Sequence, residues 1–368
     1  MVKKIIIVQH YFGLKTAKTQ RVIAEAKIFK RQGLNVLFII SGETDEDLEY
    51  LPKDFDFLTI KENKVNKLKC YCNFYKAIKR SYDNDSAILF YGAPYYSFLF
   101  RSPNFRVFAE ITEFPFCGHK MSLLDRFLSS LSEFGVKHFN TLFVISQSLK
   151  DYYSRIGVQN ICVINMFVDV SRFDGLTRNP TEKYIGYCGT ISIFKDGVDN
   201  LISAFSLFAK SHPEYKLYLF GDFENNNVKD TLVKLVSALG VSDRVVFTGF
   251  VDSEEMPQKL LDAEILALAR PDNKQSQYGF PTKLGEYLAT GNPIVITSVG
   301  EIPLFLKDGN NAFLVKPNDY KDFSDKLDWV ATHLEQARAI ALKGKDLTKS
   351  EFSSDVQTKK MIEEICFK

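Results

Sequence analysis

The stretch 270-RPDNKQSQYGFPTKLGEYLATGNPIVIT-297 decides how the rest of the chain is read. It leaves a predicted strand at Ala269, crosses a polar, irregular loop, and enters a short helix at Pro281/Thr282. Gly291 closes that helix and Asn292-Pro293 stops it, after which 293-PIVIT-297 reads as another strand. A helix that starts at the carboxyl end of a strand presents unbonded backbone N–H groups and a positive dipole end, which suits a pyrophosphate. Thr282 and Glu286 lie four residues apart, so one helix face would carry a hydroxyl near the phosphates and a carboxylate one turn deeper. Lys283 would add positive charge there, and the carboxylate could accept hydrogen bonds from ribose hydroxyls. The plainer alternative is that Pro281 and Thr282 simply start a helix whose Glu286 is solvated.

Two segments upstream repeat the pattern of a strand ending in glycine. In 184-YIGYCGTISIFKDGVDNLISAF-205 the strand ends at Gly189-Thr190, and Lys195 precedes a helix beginning near Val198. Glycine at a strand tip lets a ligand approach the backbone, and a lysine just beyond can neutralise a departing diphosphate. In 244-RVVFTGFVDSEEMPQKLLDAEI-265 the strand ends at Gly249, and Phe250-Val251 turn toward a helix beginning around Ser253, with Asp252 and Glu255 able to form a capping box. Backbone groups at that tip could meet a nucleobase. Each segment taken alone is as compatible with plain structure as with a site.

Further out, apolar runs alternate with amphipathic segments. Strands are expected at 4–9, 35–41, 87–91, 106–111 and 141–146, with a helix over 19–31 ended by Gly33. Residues 174–183, DGLTRNPTEK, are polar and aperiodic and read as a linker. The alternation then restarts through strands at 184–187, 216–220, 244–248, 264–269 and 293–297, with helices at 198–211, 228–239 and 282–290 and a largely helical 320–342. Continuous apolar strands separated by helices imply parallel sheets covered on both faces. The fold class is therefore α/β: two doubly wound, Rossmann-like domains over 1–173 and 184–350, followed by a C-terminal helical segment 351–368 that could return to the first domain. Such domains in series would face a central cleft lined by strand ends.

The bulk properties agree. A chain of 368 residues with 45% hydrophobic and 25% charged residues is that of a globular protein with full cores. The net charge of +2 excludes a dedicated nucleic-acid binder. Residues 1–175 carry a net +6 and the remainder −4, so the basic half suits a negatively charged partner or is scatter among solvated charges. The six cysteines show no CxxC spacing, and Cys162 and Cys188, inside apolar runs, read as buried and reduced, as in the cytosol. The opening KKIIIV is too short an apolar run for a signal peptide, and 87–100 is broken by Gly92 and Pro94, so no crossing of a membrane is expected.

The order of GYCGT…KDGVDNLISAF, LYLFGD, RVVFTGFVDSEEMPQKLLDAEI and YGFPTKLGEYLATGNPIV resembles the retaining GT-B glycosyltransferases of glycosyltransferase family four, also called group 1. HYFGLKTAKTQRVIAEAKIFKRQGLNVLFI is similar to the family's opening strand, loop and helix. The crossing LFVISQSLKDYYSRIGVQNICVINMFVDVSRF matches with Asn165 and Asp169 at the family's usual Asn and Asp. The resemblance implies a nucleotide-diphosphate sugar as donor and metal-independent transfer with retention. It implies Gly13 approaching the donor from the acceptor-side domain, Gly189 and Thr190 lining the cleft, and Lys195 holding the diphosphate. Phe250 and Val251 would flank the base. Gly279, Phe280, Pro281, Thr282, Lys283 and Leu284 would surround the sugar and phosphates, and Glu286 would hold the ribose. Two departures stand out. Tyr278 occupies the position eight residues before Glu286 where the family often has a second glutamate, and Thr190 stands where many members have arginine. Arg270 is a candidate to compensate.

On the acceptor side, Glu110 and Glu113 in 106-RVFAEITEFPFCGHK-120 could bind or deprotonate an acceptor hydroxyl, or are surface carboxylates. Among these, Glu113 joins Lys195 and Glu286 as the candidate catalytic residues, while His10 and His119 read as structural or solvated. Residues 61–80 mix seven cations with Tyr71, Phe74 and Tyr75, which suits either an anionic membrane surface or a solvated helix with an aromatic core face. No metal site is expected, since 45-DED-47 and 83-DND-85 lie in loop-like contexts. The expected role is cytoplasmic transfer of a hexose-type sugar to a glycan or lipid-linked acceptor for surface polysaccharide, with peripheral contact at the inner membrane face. A GT-B sugar-nucleotide epimerase and an inactive nucleotide-sugar-binding partner are the alternatives.

Overall fold

The computed structural model describes residues 2–13, 17–41, 51–61, 67–114 and 123–367. The chain divides into two compact units, residues 1–165 with 354–368, and residues 166–353.

Among the described residues of the first unit, seven strands form one sheet: β1 (Lys4–Gln9), β2 (Asn35–Ile40), β3 (Asp56–Thr59), β4 (Ser86–Tyr91), β5 (Val107–Ile111), β6 (Thr141–Val144) and β7 (Ile161–Val163). Their order is β3-β2-β1-β4-β5-β6-β7, and every pairing is parallel. β1, β4 and β5 are buried almost along their whole length, because helices cover both faces. The strand order reverses between β1 and β4, which places a topological switch point at their carboxyl ends. Helix Ser354–Phe367 belongs to this unit: Met361 and Ile365 lie in its core, and Asp355 pairs with Arg31 at 2.9 Å.

Helix Lys67–Ser81 turns Cys70, Phe74, Ala77 and Ile78 inward and leaves Lys69, Lys76, Lys79 and Arg80 exposed. Its aromatic face is thus a core face, with the Phe74 ring 4.0 Å from that of His10. Lys64 and the side chain of Lys67 lie outside the described residues. Among the described residues, no helix is long and apolar enough to cross a membrane.

The second unit holds six parallel strands, β8 (Lys183–Cys188), β9 (Tyr215–Phe220), β10 (Val245–Gly249), β11 (Ile265–Leu268), β12 (Ile294–Thr297) and β13 (Phe313–Val315), in the order β10-β9-β8-β11-β12-β13. Here the reversal falls between β8 and β11, so residues following Cys188 and Leu268 emerge side by side at the switch point.

Several expectations need correction. Residues 174–183 do not separate the units; the division falls at Asn165/Met166, and the polar stretch is tied into the second unit. Arg178 pairs with Glu264, the Asn179 N–H donates to Asp262 at 2.7 Å, and Gln258 donates to the Thr177 carbonyl at 3.0 Å. Residues 270–281 are not wholly irregular: Lys274–Tyr278 is a single helical turn capped by Asn273, whose side chain accepts from the Ser276 N–H at 3.0 Å. The helix expected near Ser253 starts at Met256 with Glu255 at its cap position and no side-chain cap bond, so the Asp252/Glu255 box does not form. Cys188 is buried, whereas Cys162 is only half-buried on the sheet's last strand. Of the acidic loop groups, 83-DND-85 anchors the start of β1 through Lys3–Asp85 (3.2 Å) and Lys4–Asp83 (2.7 Å), and 45-DED-47 lies outside the described residues.

Candidate functional site

The site is built at the carboxyl ends of the second unit's strands. β8 delivers Gly189 and Thr190, β10 delivers Phe250 and Val251, and β11 delivers Ala269 and Arg270. The chain after β11 then makes the turn Lys274–Tyr278 and enters helix Lys283–Thr290, which Gly291 ends in the left-handed conformation at φ 77°. Thr282 is the residue before this helix; it is exposed and makes no side-chain cap bond. Lys283, in the first helical position, is the side chain directed to the strand tips.

Lys283 Nζ donates to Asp196 Oδ2 at 2.6 Å and to the Tyr187 hydroxyl at 2.9 Å, and lies 4.2 Å from the centre of the Tyr187 ring. The Tyr187 hydroxyl is within hydrogen-bond reach of both Asp196 Oδ2 (2.8 Å) and the Thr190 carbonyl (2.7 Å). Burial alone would raise the Asp196 carboxyl, but Lys283 foremost, then Arg270 and the hydrogen bonds, outweigh it and hold the group below its ordinary value. Asp196 is 3% exposed, so it is a buried carboxylate sustained by its cations. Gly189 leaves room for this arrangement. Its φ is +116°, and a Cβ there would fall 2.7 Å from Lys283 Nζ. Gly197 has a similar role behind the site, since a Cβ there would fall 2.2 Å from the Ala269 carbonyl oxygen.

Lys195 lies in the short turn Ile193–Asp196, directly before Asp196, and is half-buried. Ser192 accepts from the Lys195 N–H at 3.0 Å and holds that turn. Arg270, 3% exposed, is fixed at the end of β11 through its carbonyl, which accepts from Thr297 Oγ1 at 2.8 Å.

Glu286 projects from the first turn of helix Lys283–Thr290 and forms an ion pair with Arg172. The other arm of the Arg172 guanidinium donates to the Ser253 carbonyl, three residues beyond Phe250. Phe250 is 46% exposed and Val251 half-buried, so this tip carries an open aromatic ring. Cys188 sits behind, its thiol pushed up to about 12 by burial first and Glu286 second.

Not every residue between Tyr278 and Leu284 can offer its side chain. Leu284 is fully buried, Pro281 is buried, and Phe280 packs between the rings of Phe305 and Phe352, each 5.6 Å away. These three fix the approach to the helix, where the Leu284 N–H donates to the Pro281 carbonyl at 3.1 Å. Tyr278 and Gly279 are half-buried.

Lys283 and Arg270 thus act on the Asp196 carboxylate, and Arg172 pairs with Glu286. Spacing alone did not single out Asp196, Tyr187 or Arg172. The KD pair 195–196 was the available signal for the first, but it was read only for its lysine.

In the first unit the two candidate acceptor-side carboxylates separate. Glu110, 1% exposed, accepts from Arg21 Nε and Nη2 at 2.8 and 2.6 Å, beside buried Glu25. Burial first and Glu110 second push the Glu25 carboxyl well above its ordinary value, so this cluster joins helix Ala17–Arg31 to β5 as structure. Glu113, by contrast, is exposed just past β5, close enough to Lys18 for their charges to interact. Gly13 is buried after β1. His10, hydrogen-bonded to the Tyr96 hydroxyl at 2.8 Å and lowered to about 4 by burial, then Lys18, is a structural histidine. His119 lies outside the described residues. Among the described residues, no group of three or more His, Cys, Asp or Glu is placed to hold a metal ion.

Residues 171–346 match the family described as Glycosyl transferases group 1. A mannosylfructose-phosphate synthase of Agrobacterium fabrum is 30% identical over 169 residues, 43% of this chain and 36% of that protein. A D-inositol 3-phosphate glycosyltransferase of Mycolicibacterium smegmatis is 34% identical over 151 residues, 40% of this chain and 32% of that protein. The match thus spans about a third of the length of these curated relatives. Two solved structures are similar over the whole chain. Anabaena HepE, in complex with UDP and glucose, has a TM-score of 0.78 at 16% identity, covering 100% of both chains. TarM has a TM-score of 0.79 at 14% identity, covering 100% of this chain and 99% of that one. These likenesses establish the fold as GT-B, a pair of Rossmann-like units.

Proposed function

We propose that this chain, with its glycosyl transferases group 1 segment at 171–346 in a GT-B fold, is a glycosyltransferase using a nucleotide-diphosphate sugar. The second unit takes the donor. The observation that carries the reading is the Lys283 ammonium, seated against Gly189 by Asp196 and Tyr187 at the start of a helix on the switch point. Lys283, Lys195 and Arg270 are the cations assigned to the diphosphate, in place of a metal ion. Glu286 receives the ribose hydroxyls, and the tip Phe250-Val251 flanks the base. The relatives' names support sugar transfer, and the UDP and glucose bound to HepE support the donor class.

In the proposed transfer the bond from the sugar's anomeric carbon to the diphosphate oxygen breaks, and a bond to an acceptor hydroxyl oxygen forms on the same face. Attack on the face the diphosphate leaves retains the configuration, and the hydroxyl proton passes to the departing phosphate. Lys283, Lys195, Arg270 and the backbone N–H groups at the start of helix Lys283–Thr290 stabilise the charge that accumulates on the leaving group. Of the first unit's residues, Gly13 is assigned to the donor and Glu113 to the acceptor, whose hydroxyl it would orient. The acceptor class is a glycan or a lipid-linked sugar, the donor sugar a hexose, and the role bacterial surface polysaccharide synthesis.

Incubating the chain with a panel of nucleotide sugars, with and without glycan and lipid-linked acceptors, tests this reading. Acceptor-dependent release of a nucleoside diphosphate from one donor class is expected, with melting-temperature shifts for that class only. Binding without turnover would instead favour the inactive-partner reading, to which Thr190 and Tyr278 point. Consumption of the donor without any acceptor would favour the epimerase class.

The exposed row Lys69, Lys76, Lys79 and Arg80 is also proposed to hold the chain against an anionic bilayer, at roughly 1 kcal/mol per cation near the surface. Cosedimentation with phosphatidylglycerol vesicles should then occur at low salt and fade as salt rises; absence of binding at low salt removes this contact.

A further inference from the structure

Arg172 draws attention because the ordinary stability argument does not account for it. Its side chain is 26% exposed and that of Glu286 22%, and an ion pair this open contributes about 0–1 kcal/mol. Yet the residue is held with care. It sits in the turn Val170–Phe173, whose start is fixed by Asp169: Oδ1 accepts from the Ser171 N–H at 3.1 Å and from Ser171 Oγ at 2.6 Å. From there the planar guanidinium divides its two arms. One reaches Glu286 Oε1 on helix Lys283–Thr290, and the other reaches the Ser253 carbonyl on the segment that follows β10. These two destinations are the parts of the site given to the ribose and to the base, and they lie 33 residues apart in sequence, joined through a residue 81 positions before Ser253.

We propose that Arg172 is a positioning residue for nucleoside recognition. By engaging one oxygen of Glu286 it sets the carboxylate's rotation, while the group's remaining lone pairs stay able to accept from vicinal hydroxyls. By holding the Ser253 carbonyl it fixes the distance between that carboxylate and the Phe250-Val251 tip. The ligand feature it serves is a ribose carrying a cis-diol, not the diphosphate, which belongs to Lys283. The inference rests on the nucleotide-sugar reading above.

The test compares wild type, Arg172→Gln and Arg172→Lys by calorimetric titration. The probes are the nucleoside diphosphate that wild type releases, its 2′-deoxy analogue and inorganic pyrophosphate. Arg172→Gln should bind the nucleoside diphosphate about tenfold or more weakly, as for the loss of one charge-assisted contact. It should also lose most of the discrimination against the 2′-deoxy analogue, while pyrophosphate binding stays within about twofold of wild type. Arg172→Lys, keeping charge but not the fork, should fall between. Unchanged nucleotide affinity and unchanged discrimination in Arg172→Gln overturn the proposal. Equal weakening of all three probes overturns it as well, because that marks a general structural role. If wild type itself binds no nucleoside diphosphate, the parent reading fails; if wild type binds and Arg172→Gln matches it, only this inference fails.

Discussion

Replacing Lys283 with methionine should lower kcat for sugar transfer by about two to three orders of magnitude, the range seen when one preorganised group facing developing charge is removed. The effect follows from where the ammonium sits. It is held at the strand-tip glycine by Asp196 at 2.6 Å and Tyr187 at 2.9 Å, at the helix end proposed to receive the diphosphate. Methionine preserves most of the side chain's length and apolar contact, so the lost term is chiefly electrostatic. The substitution also takes from the buried Asp196 carboxylate its ion-pair partner, leaving the Tyr187 hydroxyl and the charge of Arg270, and costs up to about 3–5 kcal/mol of stability. The double variant Lys283→Met, Asp196→Asn removes that buried charge. It should recover most of the melting temperature and none of the activity, which separates a folding defect from a chemical one. Lys195→Ala provides the comparison. A larger loss there than in the double variant would make Lys195 the principal cation at the diphosphate.

Glu286→Gln should act on a different quantity. Glutamine keeps one acceptor oxygen, so the substitution removes one charged contact of about 1.5–3 kcal/mol, and kcat/KM for the donor should fall roughly 10- to 100-fold. Most of that loss belongs in KM, because the ribose is bound alike before and during transfer. Steady-state kinetics with the donor varied decide it. A Glu286→Gln enzyme with wild-type KM and kcat would mean that the carboxylate, already paired with Arg172, does nothing for the substrate.

These two residues also show what could be read from sequence and what could not. The helix carrying them was legible to within one residue, because PTKLGEYLATG holds both a proline start and a glycine stop around a helical period. Strand tips at Gly189 and Gly249 were legible for a similar reason: apolar β-branched and aromatic runs end abruptly in glycine. The alternation of strands and helices gave the α/β class, since buried parallel strands must be continuous in their apolar character. What stayed hidden depends on distant pairing. Lys283 finds Asp196 across 87 residues and Glu286 finds Arg172 across 114, and no local period records either meeting. Spacing alone therefore does not rank Lys195 against Lys283 at a diphosphate.

The unit boundary was misplaced for a related reason. Polar, aperiodic 174–183 has a linker's composition, but its backbone and Arg178 find partners at Gln258, Asp262 and Glu264, which composition does not reveal. The turn Lys274–Tyr278 escaped notice because NKQSQY has too few apolar residues to show a period, and its start depends on the single cap at Asn273. Glu110 and Glu113 looked equivalent three positions apart, yet one lies within a buried ionic cluster and the other is exposed, because one belongs to β5 and the other follows it.

The most direct measurement is a crystal structure of the chain with a nucleoside diphosphate bound. The terminal phosphate should lie within hydrogen-bond distance of Lys283 Nζ and the first N–H groups of helix Lys283–Thr290, with the ribose diol on Glu286. A nucleotide seated at another face of the molecule, or a phosphate held elsewhere with the Lys283–Asp196 pair left untouched, would contradict the account.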